Sequence, residues 1–181
     1  MPSPVILSQV LVGIAFCIDL AAFQFKKRAI LIACFAASAI CMSAHFYLLQ
    51  RYTAAILALV IFIRLVVALK YPRREIAYIF MVVAVLSAYF TWQGGISALA
   101  LLGVLLGTWG TFQPNDKSVR LWLVPASGAW LIHNILIVSP AACVIELFSI
   151  CSNVVGFRRY YGINDKLGGS NCPSTVASKN R

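Results

Sequence analysis

Five ionisable side chains lie within apolar runs of this chain: Asp19, His45, Arg64, His133 and Glu146. An ionisable group in such surroundings is costly and points to function by default. Asp19 and Arg64 can neutralise each other as a buried ion pair or close a gate, because each would otherwise be a lone charge. Arg64 can also snorkel towards headgroups. His133 and Glu146 stand at similar depth on successive runs. A His–carboxylate pair there can hold a polar solute group or pass protons, since imidazole titrates near neutral pH; it can also lock two helices together. His45 occupies the place matching His133 earlier in the chain, but Leu57, Ala58 and Leu59 stand where its carboxylate would be. Asn134 and Asn153 add amides that can bind a hydroxylated solute or hydrogen-bond between helices. The candidate solute or proton site is therefore His45, His133, Asn134, Glu146 and Asn153, and the candidate gate or ion pair is Asp19 with Arg64. Only three ligands are visible there and H-x-x-x-H spacing is absent, so no metal or other cofactor is expected. No G-x-S-x-G, HExxH or P-loop occurs, so the chain is not expected to be an enzyme.

The elements that position these residues follow from composition. The chain has 181 residues, 61% hydrophobic and 11% charged, whereas a soluble domain carries about 25% charged residues. Lipid is the solvent for most of it. The apolar runs predict spanning helices at roughly 5–24, 28–50, 53–70, 76–92, 95–112, 119–138 and 140–158. The run Ile56-Leu57-Ala58-Leu59-Val60-Ile61-Phe62 does not alternate, so barrel strands are excluded. The cysteines form no CxxC pair and read as small packing side chains.

Charge placement predicts topology. All but Arg51 and Arg64 of the 15 Lys and Arg residues fall at the exits of odd-numbered spans or in the tail. The positive-inside rule then places the N-terminus outside and the C-terminus in the cytoplasm. Acidic headgroups of the bilayer are the expected partners of the basic loops, and nothing suggests nucleic acid. Met1-Pro2-Ser3-Pro4 lacks the basic start of a cleavable signal.

The first three spans are echoed by the last three. Ala44-His45-Phe46-Tyr47-Leu48-Leu49 matches Ile132-His133-Asn134-Ile135-Leu136-Ile137, and Phe23-Gln24 matches Phe112-Gln113. The expected architecture is all-α, seven transmembrane helices forming two parallel three-helix repeats joined by a single linker helix. The expected divisions are a first repeat at 1–74, the linker at 75–94, a second repeat at 95–160 and a disordered cytoplasmic tail at 161–181. Gly103 and Gly107, with Gly110 beyond, form a close-packing stripe suited to neighbours in the chain or to a homodimer.

Ala44 to Leu49, Arg64, the Trp130-x-x-His133-Asn134 segment and Glu146 together resemble the bacterial inner membrane protein YgjV family. The resemblance runs from about Gln9 to Tyr160 and implies a bacterial inner membrane location without supplying catalytic residues. The 3+1+3 plan also looks like the SWEET and PQ-loop superfamily of small-solute carriers. The chain departs from that superfamily's Pro-Gln signature: its first and fifth spans have no internal proline, and Pro125 falls in the sixth. The functional expectation is a transporter of a small polar solute, possible proton linkage included. The alternative is a non-transport scaffold, assembly factor or sensor.

Overall fold

A computed structural model describes residues 4–22, 28–71 and 73–161. Among them are seven α-helices and no strand: α1 (Pro4–Ala22), α2 (Arg28–Leu48), α3 (Tyr52–Lys70), α4 (Arg74–Phe90), α5 (Gly95–Thr111), α6 (Asp116–Leu136) and α7 (Pro140–Tyr161). The tail expected beyond Tyr161 lies outside the described residues. Helices are the outcome lipid demands, because each backbone N–H and C=O must find its partner within the segment. Pro4 and Pro140 open α1 and α7, where the missing N–H is no loss.

Three helices contain stretches long and apolar enough to cross a membrane, at Pro4–Ala21, Tyr52–Lys70 and Pro140–Arg158. Shorter apolar stretches occupy Ile32–Leu48 and Gly95–Thr111. α6 begins with Asp116, Lys117 and, one turn on, Arg120, so its start is earlier and more polar than the hydropathy of the sequence suggests.

Two turns share one geometry. After α2, Gln50 adopts a left-handed conformation (φ 58°); after α6, Val138 does the same (φ 56°). The next residue folds back in each case. Arg51 N–H donates to Phe46 O at 2.9 Å, and Ser139 N–H donates to Asn134 O at 2.9 Å. The C-terminal ends of α2 and α6 coincide under one shift, since 136 minus 48 gives 88. The starts of α3 and α7 obey the same shift.

Neighbouring helices run α1–α2–α3–α5–α6–α7 and return to α1, while α4 touches only α3 and α5. The six form a ring with α4 on its flank. The outer face of α4 carries Tyr78, Ile79, Val82, Leu86 and Phe90, all exposed, whereas Ala77, Ala84 and Ala88 pack inward. That division recurs throughout. The interior is rich in Ala, Val, Ser, Thr and Gly, and many large apolar side chains face outward. Lipid solvates Leu and Ile as well as a protein core does, so small residues that let backbones approach are what hold such helices together. The stripe on α5 is used in this way. A Cβ at Gly103 would fall 2.6 Å from Trp130 Cδ1, and one at Gly110 would fall 2.9 Å from Trp122 Cβ. Both neighbours belong to α6, so the stripe serves packing within the chain.

Candidate functional site

At the ring's centre, Phe46 of α2 stacks on Trp130 of α6, with ring centroids 5.5 Å apart and planes 17° from parallel. His133 meets both edge-on, at 5.4 Å and 5.3 Å. His45, Phe46, His133 and Asn134 are at most 1% exposed.

The two histidines differ in what they bind. His45 Nδ1 donates to the Ser8 carbonyl of α1 at 3.0 Å, which leaves Nε2 as acceptor for the Ser139 hydroxyl at 3.1 Å. Gln9 extends this knot, with Nε2 donating to Ser139 Oγ at 3.4 Å and Oε1 accepting the Ala141 N–H at 3.3 Å. His45 thus ties α1, α2 and the start of α7 together and has both ring nitrogens satisfied. His133 has a partner on one side only, Asn134 Oδ1 at 3.2 Å from Nδ1. Asn134 Nδ2 is buried without a partner.

The expected Asp19–Arg64 ion pair does not form. Asp19 Oδ2 accepts from Ser38 of α2 at 3.0 Å, and Arg64 Nη1 donates to Thr108 of α5 at 2.6 Å. The reason lies in the ring: α1 and α3 are not neighbours, because α2 separates them. Arg64 is 5% exposed, its Nε has no partner, and it lies along the glycine stripe near Gly107.

The expected His133–Glu146 pair is not formed either. His133 points to the ring's centre, while Glu146 faces the Ser127 hydroxyl of α6. Ser127 is in turn 2.9 Å from Ser149 of α7. Asn153 donates to Ser149 O of its own helix at 2.9 Å rather than to a neighbouring helix. Charge is therefore divided between the two seams of the ring. The α3–α5 seam holds a buried guanidinium against a hydroxyl, and α1 and α7, which meet at the other seam, each carry one half-buried carboxyl group that reaches a hydroxyl of the neighbouring α2 or α6. Among the described residues no cluster of His, Cys, Asp and Glu could hold a metal ion.

Sequence reasoning missed the hydroxyl and amide partners Ser8, Gln9, Ser38, Thr108 and Ser139. The chain shift of 88 would have found Ser139, which corresponds to Arg51 and stands six residues after its histidine as Arg51 does.

Seven helices with apolar outward faces, small-residue interiors and polar side chains gathered at internal seams define a polytopic α-helical membrane protein. More narrowly, the chain belongs to the Imp-YgjV family of bacterial inner membrane proteins, whose model matches residues 6–164. No curated protein and no solved structure matches the chain.

Proposed function

We propose that this inner membrane protein carries a small polar solute across the bilayer, all seven helices crossing it and the basic connections facing the cytoplasm. One observation carries the reading. Arg64 is buried at the α3–α5 seam against Thr108, and the half-buried Asp19 and Glu146 stand on α1 and α7, the helices that meet at the other seam between the α1–α3 half and the α5–α7 half. Carriers built from parallel repeats move one half against the other around a site at their interface. The common shift of 88 in helix bounds and turn geometry supports two such repeats, with α4 as the linker. Arg64 and Asp19 then act as separate seam residues, and Glu146 is placed to contact solute or pass a proton. His45 is a structural tie, and Asn153 supports its own helix.

Purified protein in liposomes tests this. Flux of a small polar solute, with or without a pH gradient, should fall in Glu146→Gln and Arg64→Met variants that keep the wild-type fold. Absence of flux for a broad solute panel would remove the reading's support.

A second reading, a scaffold or assembly factor, is favoured by the filled centre of the ring, where Phe46 and Trp130 stack. It predicts that the same substitutions change stability or partner capture alone.

A further inference from the structure

Two polar contacts cross the α3–α5 seam. Near the N-terminal ends of both helices Ser97 donates to Thr53 Oγ1 at 3.0 Å. About three turns further along both, Arg64 Nη1 donates to Thr108 Oγ1 at 2.6 Å. The hydroxyl donors of the seam are spent. Thr53 donates to the Thr91 carbonyl, beside a cavity of ≈ 10 Å³ lined by Arg51 and His133 among others, and Thr108 donates to Val104 O at 2.6 Å. Arg64 is different. A guanidinium carries five N–H groups and stays charged in proteins, yet this one makes a single hydrogen bond. Its Nε is buried without a partner, the side chain is 5% exposed, and no carboxylate among the described residues pairs with it.

We propose that Arg64 binds the carboxylate of a short-chain monocarboxylic acid, and that this is the class of solute the protein carries. The free donors set the class. With Nη1 turned to Thr108, Nε and Nη2 remain as the side-on pair of the planar fork. That pair takes a carboxylate through two parallel N–H···O bonds. Charge points the same way. One carboxylate cancels one guanidinium, whereas a dianion would leave a net charge in the same dry surroundings and a neutral solute would leave the cation uncompensated. Packing sets the size. A Cβ added at Gly107 would meet Ala126 Cβ at 3.8 Å and Arg64 Nη1 at 3.9 Å, so a methyl group fits beside the guanidinium in ordinary contact. The place is also suited to exchange, because α3 and α5 belong to different halves of the ring, and parting them uncovers Nε.

The inference rests on the carrier reading for the route by which solute reaches Nε, but binding does not require flux, so the two are measured separately. The full chain in a neutral detergent is melted in sodium acetate, sodium chloride and sodium sulfate at one ionic strength, and in acetamide as the uncharged analogue. Saturable stabilisation by acetate is expected, absent with acetamide and about tenfold or more weaker with chloride and sulfate. That comparison uses the wild-type protein alone. Arg64→Lys keeps the charge but loses the fork, and should weaken acetate binding about tenfold. Arg64→Met should abolish it, while Arg73→Gln, just before α4, should change nothing. Equal responses to acetate, chloride and acetamide would overturn the proposal, and so would equal acetate affinity in the wild type and Arg64→Lys. Arg64-dependent acetate binding with no flux of any solute into liposomes would leave the site standing and remove the carrier reading. Flux of other solutes with no acetate binding would do the reverse.

Discussion

Gly103→Ala on α5 is the sharpest test of how closely α5 and α6 pack. The new Cβ would fall 2.6 Å from Trp130 Cδ1 and 2.7 Å from Nε1. Trp130 has little room to yield, because it is 9% exposed and stacked on Phe46. Overpacking of this kind costs about 1–3 kcal/mol, against about 1 kcal/mol gained by replacing glycine inside a helix. Gly128 on α6 is the control, since a Cβ there meets nothing within 4 Å. The helix gain is common to both substitutions, so their stabilities should differ by about 1–3 kcal/mol, with Gly128→Ala above wild type. Equilibrium unfolding in mixed micelles measures both. Adding Trp130→Leu to Gly103→Ala should cost less than the two single effects together, because the clash is then relieved. Equal stability of Gly103→Ala and Gly128→Ala would show that α5 and α6 do not approach as closely as described.

Other perturbations follow from the hydrogen bonds. Ser139→Ala should destabilise by about 1–3 kcal/mol in the same unfolding assay, because it strips the buried His45 Nε2 of its partner. Thr108→Val should cost more than Arg64→Met, since the first leaves a buried guanidinium without its hydroxyl while the second removes the charge altogether; thermal melts of the two variants decide the order. Val138→Asn should raise the melting temperature, by relieving about 1 kcal/mol of left-handed strain at a β-branched residue.

The fold was readable where turn chemistry marked it. Tyr52, Gly95 and Pro140 follow short polar or glycine-bearing breaks, and α3, α5 and α7 begin within a residue of the expected places. Span ends were less legible where hydropathy ran on: Leu49 reads as helix, yet α2 ends at Leu48 because Gln50 turns left-handed. The start of α6 was hidden by Asp116 and Lys117, charged residues that stay helical. Site residues were legible as a list and illegible as pairs. Depth along a span is a one-dimensional quantity, and Asp19 and Arg64 share depth while standing on helices that do not touch. His133 and Glu146 point in different directions around the ring for the same reason. Arg51 stood out as the lone cation of its side. The cavity beside it required knowing that α3, α5 and α6 meet there.

The interior of small side chains has a thermodynamic consequence. Unfolding within lipid exposes little new apolar surface to water, and such exposure is the source of the large positive heat capacity change of soluble domains. Stability should therefore vary almost linearly with temperature, without the dome that makes soluble proteins weaken on cooling. Close van der Waals contact along Ala77, Ala84 and Ala88 and along Gly103 and Gly107 gains its strength from enthalpy, and cold does not loosen it.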